Sequence, residues 1–85
     1  MPEILIYTST LCPYCTMAKR LLTAKGATYK ELNIDTTPGL LEEMMHKTKR
    51  RTVPQIYIGD QHIGGFDELR ALDLKKDLEP LLLAG

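Results

Sequence analysis

Ile4-Leu5-Ile6-Tyr7, followed by Cys12-Pro13-Tyr14-Cys15 and then by Met17, Ala18, Leu21 and Leu22, decides how this chain is read. The first run is apolar and short, as in a strand. The last four positions recur at the spacing of one helix face. The cysteine pair, the only cysteines in the chain, therefore stands where a strand ends and a helix begins. With Cys12 as N-cap, Pro13 takes the first helical position, where its missing N–H costs nothing. The Cys12 sulfur can then accept from the Tyr14 and Cys15 N–H groups, as an N-cap side chain does. Those donors and the positive helix end favour the thiolate. Cys15, at the third helical position, is close enough to close a disulfide back onto Cys12. Cys12 is thus the expected nucleophile and Cys15 the expected resolving thiol.

Blander uses of the pair are weaker. A structural zinc wants four ligands, and His46 and His62 are isolated in the chain. A disulfide spanning four residues closes little chain entropy and makes a poor staple. Two inert buried thiols remain as the plain alternative. The strand-then-helix context favours redox chemistry.

Composition narrows the rest. The chain's 85 residues suit a single domain, 1–85, with 44% hydrophobic and 26% charged residues. Both fractions are ordinary for a globular protein. The formal net charge is zero, so there is no general attraction to nucleic acid or anionic membrane. No apolar run approaches a membrane span, and the N-terminus lacks a signal-peptide pattern. The expected compartment is a reducing cytoplasm, in which the pair would cycle.

Residues 3–7 read as a strand central in a sheet. Helix one runs from Pro13 to about Lys25, with Gly26 as C-cap. Thr28 to Asn33 reads as a second strand, and the three elements imply a parallel βαβ unit. Thr37 and Pro38 are placed as cap and first residue of a second helix carrying Leu40, Leu41, Met44 and Met45 on one face. That helix ends in Lys47, Lys49, Arg50 and Arg51, which suit its negative end rather than a nucleic acid. Val53 to Ile58 is a strand with proline near its start. A Gly59-Asp60 turn leads to Gln61-His62-Ile63, with His62 expected to face solvent. Gly64-Gly65 opens a third helix bearing Phe66, Leu69 and Leu72. Leu78 to Leu83 is a last short helix with Glu79 as cap and Pro80 as first residue.

Cys12-Pro13-Tyr14-Cys15, Thr52-Val53-Pro54 and Gly64-Gly65-Phe66-Asp67, at these separations, closely resemble the dithiol glutaredoxins, in particular the short prokaryotic type. The resemblance covers essentially the whole chain. It implies an α/β thioredoxin fold, with a four-stranded mixed sheet in the order 2-1-3-4 flanked by helices. It implies a cis bond before Pro54. It also implies a glutathione groove in which Cys12 forms the mixed disulfide and Tyr14 lines the wall. Val53 would pair its backbone with the glutathione cysteine unit, with Thr52 and Pro54 beside it. Gly65, Phe66 and Asp67 would take the γ-glutamyl end, Asp67 meeting the ammonium group.

One departure stands out. Many dithiol members carry lysine three residues before the first cysteine, and this chain has Ser9. The run Lys49-Arg50-Arg51 is the expected replacement for that cation, with Arg51 leading.

The resemblance implies a glutathione-dependent thiol–disulfide oxidoreductase, expected as a monomer, with glutathione as co-substrate and no metal. Its partners would be glutathionylated or disulfide-containing proteins, ribonucleotide reductase among the family's targets. Two rival readings compete with it. A redoxin reduced by thioredoxin reductase would not need the Gly-Gly-Phe-Asp element. An iron–sulfur carrier would use Cys12 and glutathione as ligands, but that branch typically has one active-site cysteine, whereas here Cys15 competes for Cys12.

Overall fold

The computed structural model describes residues 2–84. Its elements run β1 (Ile4–Thr8), α1 (Pro13–Ala24), β2 (Lys30–Asn33), α2 (Leu40–Thr48), β3 (Gln55–Ile58), β4 (Gln61–Gly64), α3 (Phe66–Leu74) and α4 (Leu78–Leu83). The strands form one sheet in the order β2-β1-β3-β4. β1 pairs parallel with β2 and antiparallel with β3, and β3 pairs antiparallel with β4. This is the mixed sheet that the resemblance implies, with β1 inside it.

Strand alternation explains the layering. Ile4 and Ile6 point to one face, where Ile56 and Ile58 join Ala18 and Leu22 of α1, Leu69 of α3, and Leu78 and Leu82 of α4. Leu5 and Tyr7 point to the other face and pack with Tyr57, Met44 of α2, Leu40 and Leu41. Successive residues of a strand face opposite sides, so a five-residue strand supplies both cores. Met17 is an exception to the expected helix face: it is exposed, while Ala18 and Leu22 are buried and Leu21 is half-buried.

Several boundaries differ from the sequence expectation, each for a local reason. Lys25 is the C-cap of α1, and Gly26 follows it with φ 75°. The Ala27 N–H reaches Leu22 O at 3.0 Å and the Gly26 N–H reaches Thr23 O at 2.9 Å, the paired bonds of a Schellman ending. β2 starts at Lys30 rather than Thr28, because pairing with β1 begins at Leu5 and Lys30. α2 starts at Leu40, not Pro38, because Gly39 sits at φ 89° and breaks the helical run between them. Asp77, not Glu79, precedes α4 as its cap residue. Pro80 then falls at the third helical position, still within the first turn, where no N–H is needed.

His62 also departs from expectation. A register shift near Ile56 and Tyr57 sets Tyr57 opposite His62. His62 is half-buried and stacks on Tyr57, with ring centroids 5.0 Å apart.

Candidate active site

The loop after β1 delivers Cys12 to the start of α1 in an extended conformation, φ −143° and ψ 95°. Pro13 follows at the first helical position, as its fixed φ requires. Cys12 and Cys15 are joined in a disulfide, their Cα atoms 5.2 Å apart. The Cys15 N–H donates to Cys12 Sγ at 3.1 Å. Of the two donors expected at this sulfur, only Cys15 provides a bond in this oxidised state. Exposure separates the two cysteines: Cys15 is 1% exposed, while Cys12 is partly open. An incoming sulfur has access to Cys12 and not to Cys15.

Two further segments build the site beside Cys12, the loop before β3 and the start of α3. Val53 precedes a cis bond to Pro54, and its carbonyl oxygen lies 3.9 Å from Cys12 Sγ. Residues 52 and 53 lie before β3 begins, and the Val53 N–H has no backbone partner among the described residues. α3 opens directly after Gly65, where an added Cβ would lie 3.4 Å from the Pro54 carbonyl oxygen. A groove of about 210 Å³ runs between these segments, and Tyr14, Thr52, Val53, Pro54, Gly65, Phe66 and Asp67 all line it. The Tyr14 and Phe66 ring centroids are 6.3 Å apart, an aromatic pair within the lining. Every groove residue expected from the sequence is therefore brought to one place.

Electrostatics distinguish the two ends. At the start of α3 the Gly65 N–H donates to the Glu68 carboxylate at 2.8 Å. This is half of a capping box. The reciprocal bond is missing because glycine has no side chain, and the first turn of α3 carries no side-chain cap. Such N–H groups suit a carboxylate ligand. Arg50 Nη1 holds the same Glu68 oxygen at 2.9 Å. The Gly65 N–H first, and Arg50 after it, keep the Glu68 carboxyl below its usual range.

Gln55 and Glu68 line the groove without having been singled out for it from the sequence, and from the basic run it is Arg50 that lines it. Glu68 carried a readable signal, an acid three residues after a cap position. Gln55 carried none, because a polar residue in a strand usually faces solvent. Arg51 is exposed and stands outside the lining, so Arg50 is the cation on the groove. α2 ends with Lys49 in a left-handed turn, and the Arg50 N–H then bonds Thr48 Oγ1 at 3.0 Å. That turn, not proximity in sequence to Thr52, decides which basic residue meets the groove.

A pH dependence follows from Glu68. Its folded-state pKa is depressed, so its ionised form stabilises the fold above the unfolded value. That contribution is lost as pH falls from about 4.5 through the lower folded-state value. Glu68→Gln retains an acceptor for the Gly65 N–H but loses the charge. Urea titrations of both proteins across pH 3 to 6 are expected to show a shallower acid decline in the variant. Parallel declines would mean that the Glu68 charge adds nothing to folding.

A dithiol–disulfide pair at a helix N-terminus, beside a cis-proline loop on a 2-1-3-4 sheet, defines a thioredoxin-fold redox protein. The glutaredoxin family profile matches residues 4–63. Glutaredoxin 3 of Escherichia coli is 51% identical over 82 residues, covering 96% of this chain and 99% of that protein. The solution structure of glutaredoxin from Brucella melitensis superposes with a TM-score of 0.85 at 46% identity, covering 96% of this chain and 89% of that one. A buckwheat glutaredoxin–glutathione complex superposes with a TM-score of 0.87 at 30% identity, covering 93% and 74%. The chain belongs to the glutaredoxin family, and its activity is that of a thiol–disulfide oxidoreductase.

Proposed function

We propose that this oxidoreductase is glutathione-dependent, acting on protein–glutathione mixed disulfides and on protein disulfides. The observation that carries the reading is the groove itself. It runs from the Val53 edge, which lies against the partly open Cys12 and has no backbone partner among the described residues, to the first turn of α3. Glutathione has the matching parts: a sulfur, a peptide backbone on either side of it, and a γ-glutamyl end bearing a carboxylate and an ammonium. The buckwheat homologue was solved as a glutathione complex.

In this reading the Cys12 thiolate attacks the glutathione sulfur of a mixed disulfide. A Cys12–glutathione disulfide forms and the protein leaves as a thiolate. A second glutathione thiolate attacks the bound glutathione sulfur, releasing glutathione disulfide and restoring Cys12. On a protein disulfide, Cys12 attacks one sulfur and displaces the other. Cys15 then attacks Cys12 Sγ, freeing the reduced protein and leaving the Cys12–Cys15 disulfide. Two glutathione molecules reduce that bond in turn.

The direct test follows reduction of one glutathionylated peptide by this protein, coupled either to glutathione and glutathione reductase or to thioredoxin reductase. Saturable turnover with the first system and little with the second is expected. The reverse result overturns glutathione dependence.

Asp67 is exposed at the start of α3 and lines the groove. In this reading its carboxylate meets the γ-glutamyl ammonium. Asp67→Ala is expected to weaken glutathione substrates by on the order of 1 kcal/mol, as for a partly exposed charge contact. A glutathione analogue lacking the α-amino group should lose much less. Equal losses with both would show that Asp67 does not read the ammonium.

A further inference from the structure

Gln55 is the one buried side chain of the groove wall with polar atoms at its tip, and it is 1% exposed. Its Nε2 donates to the Thr52 carbonyl at 2.9 Å, with Thr52 Oγ1 at 3.3 Å. Its Oε1 is 2.8 Å from His62 Nε2. The polarity of this chain is forced from one end. A backbone carbonyl only accepts, so the Gln55 amide nitrogen must face Thr52. Its oxygen then faces His62, and His62 must donate from Nε2. The His62 ring is itself fixed by stacking on Tyr57. Almost no water reaches Gln55, so a lost partner is not replaced by solvent and an unpaired buried amide is costly.

From this geometry we infer that His62 is a positioning residue for the substrate-receiving edge. Through Gln55 it holds the Thr52 carbonyl, and with it the adjoining Val53 backbone, in place beside Cys12. His62 stands outside the groove lining and acts through the Gln55 amide. The inference rests on the reading that Thr52 and Val53 receive glutathione.

The test uses the full chain with His62→Phe and His62→Gln. Phenylalanine keeps an aromatic ring over Tyr57 and loses the donor. Glutamine keeps an amide donor near the Nε2 position. His62→Phe is expected to raise KM for a glutathionylated peptide about three- to tenfold with kcat nearly unchanged, the size of one lost hydrogen bond and the pattern of lost binding. The nitrogen-15 order parameter of the Val53 N–H should fall, because it reads how firmly that backbone is held. Reduction of the Cys12–Cys15 disulfide by dithiothreitol should not change. His62→Gln should recover most of both losses. In nitrogen-15 spectra, neutral His62 should carry its proton on Nε2.

Unchanged KM and an unchanged Val53 order parameter in His62→Phe overturn the inference. Equal losses in the two variants overturn it as well, because they mark a merely structural ring, and so does a neutral His62 protonated on Nδ1. Should the unaltered protein show no saturable glutathione turnover, the reading of the groove falls separately. The Val53 order parameter then decides His62 alone: a fall in the phenylalanine variant with recovery in the glutamine variant supports positioning, and no fall refutes it.

Discussion

Cys12→Ser is expected to lower both deglutathionylation and protein-disulfide reduction by on the order of a thousandfold or more, the scale of losing a nucleophile. A serine hydroxyl neither ionises at neutral pH nor exchanges with a disulfide. Cys15→Ser is expected to separate the two reactions. Deglutathionylation needs only Cys12 and a second glutathione, so it should persist. Protein-disulfide reduction needs an attack on the mixed disulfide from a neighbouring sulfur, and Cys15 stands with its Cα 5.2 Å from that of Cys12. Replacing an oriented intramolecular attack by an external thiol should cost about tenfold or more. The roles follow from exposure and from position in the helix: Cys15 is buried, and its N–H bonds the Cys12 sulfur. Activity retained by Cys12→Ser and lost by Cys15→Ser would reverse them. Iodoacetamide titration of the reduced protein should place the Cys12 ionisation below the free-cysteine value of about 8.5. An ordinary value would remove the helix-terminus argument.

Gly64→Ala is expected to be the most damaging substitution outside the cysteines. Gly64 is buried at the end of β4 with φ 114°, a conformation that side-chain-bearing residues rarely adopt. A Cβ there would also run into the Glu68 side chain. The carboxylate would have to leave the Gly65 N–H and Arg50. Backbone strain of about 1–3 kcal/mol and a lost cap of about 1 kcal/mol both oppose folding at this turn. For a chain of this size that is a large share of the total stability. The thermal midpoint should fall by more than about 10 °C. Gly26→Ala is the internal comparison. Gly26 also has positive φ, at 75°, but no atom lies within 4 Å of its would-be Cβ. It should lose only the strain. If the two variants fell equally, the Glu68 contact would carry no weight.

Much of this protein was legible in residue order alone. Apolar Ile4-Leu5-Ile6-Tyr7, the proline after Cys12 and the helix-spaced Ala18, Leu21 and Leu22 fixed a strand, a turn and a helix with the cysteines between them. These are local effects: strand alternation, the fixed φ of proline and an N-cap geometry act within a few residues. The groove residues Tyr14, Thr52, Val53, Pro54, Gly65, Phe66 and Asp67 were legible through motif resemblance, because their separations along the chain match a known family. Helix starts were less legible where a glycine intervened, as at Gly39, since residue identity does not announce a left-handed φ.

Tertiary structure alone decided the polar wiring. Arg50, rather than Arg51, meets the groove because a left-handed Lys49 turns the chain at the end of α2. Glu68 serves Gly65 and Arg50 together because α3 packs beside the loop after α2. His62 reaches Gln55 because the β3–β4 register sets it opposite Tyr57. Each of these depends on hydrogen bonds between segments distant in sequence or on a strand register. Hydrophobic periodicity tells which face of an element is buried, but it does not say which partner a polar side chain finds once the faces have met.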